Sequence, residues 1–355
     1  MRFGIAVRDI TPPFKTPMYG YGCRRDVFDC VNDPMTLTAL LLEEGGRRAL
    51  IVAADLGMAP EGEASRRLMA KLGSVAGCPA ENVILNASHT HGAAATPMSE
   101  PIFDEITKPP SCRQFEDLLC RLAEEAAAEA VSRLAPGRME IAEGRTGFPM
   151  NRRPTINGKV PNAPNPSGPR EDRMRLLVVR DKDGGLAGVG MILACHPVST
   201  GAQHRITADY PGAWREEFRR AFGPKVTPFF LQGAGADTRP RHAAEDDHWR
   251  AVPHAELPGM GQELLAETLA VLTKPAAARQ LGPLSLRGAV VEAVAPCERL
   301  YARREDIAPL LSHPEYYIRN YAELCKRIFD AGKALSDTVT FHVQTLWLDS
   351  GLALI

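Results

Sequence analysis

Two glycine turns constrain this chain more than any other feature. Gly45-Gly46 joins the run Thr36-Leu37-Thr38-Ala39-Leu40-Leu41-Leu42-Glu43 to Arg48-Ala49-Leu50-Ile51-Val52-Ala53-Ala54. Asp183-Gly184-Gly185 joins Leu176–Val179 to Leu186–Ala194. Glycine tolerates the positive φ of a tight two-residue turn, so each segment reads as a β-hairpin. Hairpins exclude an all-parallel doubly wound sheet. Helical periods lie between the strands. Residues 62–72 form a short one. Gln114–Leu134 carries the stripe Phe115, Leu118, Leu119, Leu122, Ala126 and Leu134, and Pro136-Gly137 ends it. Pro211 opens another, with Trp214, Phe218 and Phe222 assigned to the core and Gly223 as its stop. Leu264, Leu265, Leu269 and Leu272 mark a fourth, and Tyr317, Tyr321, Leu324 and Ile328 after Pro314 a fifth. Val83–Ala87, Val226–Leu231, Val339–Leu348 and Leu352–Ile355 read as further strands. The expected fold is mixed α/β: two packed, largely antiparallel or mixed β-sheets flanked by helices. No internal repeat is visible, and no break in composition divides residues 1–355 into domains.

The 355 residues are 45% hydrophobic and 24% charged, with a formal net charge of -1. That balance gives no electrostatic basis for binding nucleic acid or an anionic membrane. No apolar run reaches the roughly 18 residues of a membrane span. Met1–Asp9 lacks the apolar stretch of a signal peptide, so a cytoplasmic location is expected. The eight cysteines are scattered without a Cys-x-x-Cys. Reduced thiols are the economical reading, with a Cys23–Cys30 bridge as the alternative.

Several apolar strands run into residues capable of chemistry. Ile51–Ala54 leads to Asp55, and Val83–Leu85 leads to Ser88-His89-Thr90-His91-Gly92. Met191–Cys195 leads to His196-Pro197, and Phe229–Leu231 leads to Gln232 and Asp237. Strand ends on one rim are where α/β folds commonly place sites. On a strand, His89 and His91 face the same way with Cα atoms roughly 6 to 7 Å apart. Three or four histidine and carboxylate ligands with one open position describe catalytic zinc. Such an ion polarises a carbonyl and lowers the pKa of water from near 16 to about 7. A neighbouring imidazole can carry the proton. Residues 144–170, with six prolines, four glycines and four asparagines, read as a long loop. They contain Arg152 and Arg153, and an arginine there can face a developing oxyanion. His242, His248 and His254 read as a solvated segment.

Together these motifs resemble the N-terminal catalytic domain of the neutral/alkaline non-lysosomal ceramidases and their bacterial relatives. The likeness rests on Gly4–Pro13, Ala54-Asp55-Leu56-Gly57-Met58, Ser88–Gly92, Asn151-Arg152-Arg153-Pro154, Ala194–Ser199, Ala208-Asp209-Tyr210-Pro211-Gly212 and Phe230–Asp237, in that order. It covers nearly the whole chain. The resemblance implies a zinc amidohydrolase that cleaves an N-acyl bond with metal-activated water. It implies His89 and His196 as zinc ligands and His91, Arg152 and Asp237 as catalytic residues. Asp55 and Asp209 take supporting roles, and the partner is a small N-acyl molecule such as a lipid. Two departures stand out. Arg239 occupies the place of a family serine, which weakens a serine-dependent mechanism. The family's glutamate and tyrosine ligands follow a strand like Leu352–Ile355, so the chain is expected to be incomplete at its C-terminus and to lack the immunoglobulin-like domain. The alternatives are a non-catalytic relative binding a small ligand in the same cleft, a hydrolase of a soluble N-acyl compound or ester, and a different divalent ion held by Asp55, His89 and Asp209.

Overall fold

Both glycine turns close hairpins in the computed structural model, which describes residues 1–21, 24, 26–60, 62–97, 109–274, 278–296 and 303–355. Gly45 and Gly46 have φ of 57° and 77°, which a β-carbon would resist. They join β2 (Thr36–Glu44) to β3 (Arg47–Ala54), and β1 (Arg2–Asp9) pairs antiparallel with β2. Helix α1 (Gly62–Ala76) then carries the chain to β4 (Val83–Ala87), which lies parallel to β3. Helix α2 (Pro110–Ser132) follows. Pro136-Gly137 does not simply end that helix: it falls within β5 (Ala135–Arg145), an 11-residue strand hidden from sequence by its charged, half-exposed pattern.

The same order of elements then recurs. β5 pairs antiparallel with β6 (Arg173–Asp181), which forms a hairpin with β7 (Leu186–Leu193). Helix α3 (Asp209–Phe222) leads to β8 (Thr227–Gln232), parallel to β7, and α4 (Leu257–Leu272) follows. The topology is thus a repeat that the sequence does not display. β1 and β5 join the two halves through Arg2↔Pro136 and Phe3↔Ala135. A three-stranded sheet of β10 (Arg287–Pro296), β11 (Thr338–Asp349) and β12 (Leu352–Leu354) comes last; Ala278–Gln280, counted as β9, pairs with β5.

Burial follows from side-chain alternation. Leu37, Ala39, Leu41, Leu50 and Val52 meet Phe115, Leu119, Ala123 and Ala126 of α2 and Leu68 and Leu72 of α1. Leu176, Val178, Val189, Met191 and Leu193 meet Trp214 and Phe218 of α3 and Leu264 of α4. Phe222, expected in the core, is 37% exposed. The opposite strand faces pack on each other: Ile5, Leu40, Leu42 and Ile51 against Met139, Leu177, Val179, Phe229 and Leu231. The expected two packed sheets are thus two halves of one nine-stranded mixed sheet, folded face to face with helices outside. Six described cysteines are free thiols, and the Cys23–Cys30 pairing lies outside the described residues because Cys23 does. Among the described residues, no helix is long and apolar enough to cross a membrane.

The outer edges, β4 and β8, meet through one side chain. Asn86 Nδ2 donates to Gln232 O at 3.1 Å, and Gln232 N donates to Asn86 Oδ1 at 2.8 Å. The amide stands in for a peptide group where no strand ladder runs. Asn86→Ala leaves both Gln232 groups unpaired, and the expected loss is about 1–3 kcal/mol per group if water cannot replace it. Chemical denaturation measures it, and an unchanged midpoint contradicts this closure.

Candidate metal centre

Both parallel strand pairs direct their carboxyl ends to the same rim. β4 stops at Ala87, so His89 and His91 do not share a strand face. They sit on a turn, and His89 has φ of 63°. A non-glycine residue there costs roughly 1–3 kcal/mol, and such strain concentrates at functional sites. Two bonds hold it: His89 N donates to Leu56 O at 2.9 Å, and His89 Nδ1 lies 2.6 Å from Gly57 O. A carbonyl only accepts, so Nδ1 carries the proton and Nε2 keeps its lone pair. Gly57 has no room for a β-carbon, which would fall 1.9 Å from the Tyr19 ring. Thr90 Oγ1 donates to Thr207 O at 3.0 Å, and His91 N donates to Pro197 O at 3.2 Å, fixing the rest of the turn.

His196 follows β7, and the start of α3 fixes its loop. Tyr210 Oη donates to Cys195 O at 2.6 Å. Asp209, with φ of 57°, accepts Ser199 Oγ at 2.6 Å, Ser199 N at 2.9 Å and Thr200 N at 3.3 Å. His196 N donates to Thr238 O at 3.3 Å. Asp209 thus orients the histidine loop rather than facing an ion. Asp55 is also spent, on Arg215 and Thr36. The Asp55, His89 and Asp209 set does not assemble.

The set that does assemble is His89, His91 and His196, with one ligand atom from each all within 4.8 Å of one another. Ring centroids lie 4.4, 4.9 and 5.1 Å apart for 89–196, 91–196 and 89–91. His91 Nε2 is 3.0 Å from His196 Nε2, and His91 Nδ1 is buried with no partner among the described residues. Zinc–nitrogen bonds of about 2.0–2.1 Å at tetrahedral angles separate ligand nitrogens by roughly 3.3 Å. The donor set therefore fits a divalent ion such as zinc. The resemblance implied a catalytic rather than a ligand role for His91; the structure puts its ring within ligand distance.

Burial, the neighbouring imidazole of His89 and the Arg152 charge push His196 down to about 3. Burial, with His196 and His89, holds His91 well below its ordinary value. Burial lowers His89 too, opposed by Gly57 O. All three stay neutral, the form that binds metal. The linkage sign follows. Between about pH 6.5 and 3 the unfolded chain takes up a proton at His196 that the folded chain refuses. Metal-free protein therefore loses stability as pH falls through that window. His196→Gln is expected to flatten the fall in Tm between pH 6.5 and 4 relative to wild type; parallel curves contradict it.

Around the cluster, the structure adds residues that sequence reasoning missed. The Tyr19 ring lies 5.7 Å from His89 and 5.5 Å from His91, and the Tyr21 ring 5.0 Å from His91. Buried Arg24 donates to His91 O at 2.6 Å and to Gln203 O at 2.9 Å. Their only signal was the aromatic-glycine run Tyr19-Gly20-Tyr21-Gly22. Part of the presumed long loop is strand: Pro149–Asn151 pairs antiparallel with Thr238–Pro240. That ladder brings Arg152 beside the cluster, with Arg152 N donating to Asp237 O at 2.8 Å and Nη2 to Ala236 O at 2.7 Å. Burial, then Arg153 and Arg239, lower Arg152 to about 10. Half-buried Asp237 thus meets Arg152 through its backbone. His242 and His254 are not free in solvent, since they sit 2.9 Å from Glu263 and Asp33 respectively. Of these three, only His248 is exposed.

No family model matches the chain, and no curated protein matches it. Solved ceramidases share its fold. One, described as a ceramidase complexed with C2, superposes with a TM-score of 0.67 at 21% identity over 86% of this chain and 48% of that chain. The neutral ceramidase from Pseudomonas aeruginosa gives 0.71 at 18% identity, over 98% of this chain and 60% of that one. The chain therefore spans about half to three fifths of the length of these proteins.

Proposed function

We propose that the chain is a zinc-dependent hydrolase of N-acyl amide bonds. The observation that carries this reading is the triple-imidazole cluster beside Arg152, on a fold shared with solved ceramidases. His89 and His196 would hold the ion through Nε2. Bound there, zinc supplies Lewis acidity to the amide carbonyl and makes water nucleophilic at neutral pH. The overall change adds one water across the C–N bond and yields a carboxylate and an amine. Arg152 presents a guanidinium to the oxygen on which negative charge develops. His91 takes the proton from water at a ring nitrogen and returns it to the leaving amine. The fold shared with the ceramidase described as complexed with C2 supports a lipid-like N-acyl amide as the substrate class.

A second reading of His91 has its own support. Its Nε2 faces His196 Nε2 at 3.0 Å, the disposition of a third ligand. The test of the whole proposal is metal content and turnover on purified protein. About one zinc per chain, hydrolysis of fluorogenic N-acyl amides, loss on chelation and recovery on zinc addition are expected. No zinc and no hydrolysis after zinc addition would instead favour a non-catalytic ligand-binding relative.

A further inference from the structure

The rim carries a positive charge that the hydrolytic scheme leaves unused. Arg239 is 8% exposed, and its neighbour in sequence, Thr238, accepts the His196 N–H on its carbonyl. Among the described residues its guanidinium makes one hydrogen bond, Nη2 to Val198 O at 3.0 Å, and lies 4.7 Å over the Trp249 ring. Its Nε is buried without a partner among those residues. The charge acts on both Tyr21, whose ring touches His91, and His196. The nearby Arg152 gives Nε and Nη2 to a carbonyl, Ala236 O, and neither of them to a carboxylate. Asp209, the buried acid closest in charge effect, is consumed by Ser199, Thr200 and Tyr210.

A buried guanidinium with an orphaned N–H and, among the described residues, no carboxylate in hydrogen-bond contact is costly unless an anion arrives to meet it. Its planar fork of donors matches the two oxygens of a carboxylate or phosphate. We infer that Arg239 is a substrate-binding residue that recognises an oxyanion on the substrate, so that the preferred N-acyl amide is anionic, of the N-acyl amino acid type, rather than a neutral amino alcohol amide. This inference rests on the hydrolase reading for turnover but not for binding.

The test pairs N-lauroylglycine with N-lauroylethanolamine, which share an acyl chain and differ in charge. O-phospho-N-lauroylethanolamine tells phosphate from carboxylate. The zinc enzyme is expected to favour an anionic substrate by at least about tenfold in kcat/KM. Arg239→Gln should lower kcat/KM for that substrate by about 10- to 100-fold, the scale of one charge-assisted hydrogen bond. Turnover of the neutral amide should hold within about threefold, which also shows that the variant folds, and Arg239→Lys should restore part of the loss. A wild-type preference for the neutral amide, or equal losses on both, overturns the inference. Calorimetry on chelated protein separates the two claims. An Arg239-dependent preference for the anion without turnover keeps this inference and fails the hydrolase reading; no preference in binding or turnover sinks the inference alone.

Discussion

His196→Ala should leave the protein folded, without zinc, and slower in amide hydrolysis by more than about 1,000-fold, beyond the roughly 10- to 100-fold that a supporting partner around a metal supplies. Removing one imidazole also removes the near neighbour of His91 Nε2, so the remaining rings cannot re-form the set. His89→Ala should match it. His89 Nδ1 is committed to Gly57 O, and its Nε2 therefore aims at the cluster. His91→Gln then divides the two roles of that ring. If His91 is a ligand, zinc and activity fall together. If it is a proton carrier, zinc stays near one per chain and kcat falls by about 100- to 10,000-fold. Atomic emission on dialysed protein and kcat on a fluorogenic amide read both quantities. Full zinc and ordinary turnover in His196→Ala would end the metal proposal.

The three histidines of this site were legible in sequence because they follow strong apolar runs. Val83–Leu85 and Met191–Leu193 announce strands, and whatever follows a strand lies at an edge of the fold. What was not legible was how the edges meet. His89 and His91 reach one cluster through a left-handed residue and a turn, not through strand alternation, and a single φ leaves no periodicity to read. Arg152 reaches the site because Pro149–Asn151 pairs with Thr238–Pro240 across almost ninety residues, a ladder too short and too proline-rich to score as strand. Tyr19 and Tyr21 stand in a short glycine-spaced run with no periodicity. The topological repeat was hidden for a different reason. Both halves need apolar residues at alternating positions and nothing more specific, so β1–β4 and β5–β8 can share a plan without sharing residues. The cluster draws on both copies, with His89 and His91 after β4 and His196 after β7. Its geometry therefore depends on how the halves are locked together.

That lock predicts the largest effect on stability. Asp55, at the end of β3, and Arg215, in α3, are 1% and 4% exposed and belong to different halves. Arg215 Nη1 donates to Asp55 Oδ1 at 3.0 Å and Nη2 to Oδ2 at 2.5 Å, while Asp55 Oδ2 also accepts Thr36 N at 2.7 Å. Arg215→Met leaves a carboxylate buried with Thr36 alone, and breaking such a pair costs about 3–5 kcal/mol. Tm should fall by on the order of 10 °C in a scanning calorimeter. The loss reflects the stranded charge more than the worth of the pair. Asp55→Asn combined with Arg215→Met keeps an acceptor for Thr36 and removes the charge, so it should recover more than half of the loss. The metal site should respond as well. Leu56 and Gly57, directly after Asp55, supply the carbonyls that hold His89 in its left-handed conformation. Loosening Asp55 should therefore weaken zinc binding by roughly 10- to 100-fold, as loss of an outer hydrogen bond does elsewhere. A single variant with unchanged Tm, or a double variant no better than the single, would show that the halves are held together by their apolar interface and not by this pair.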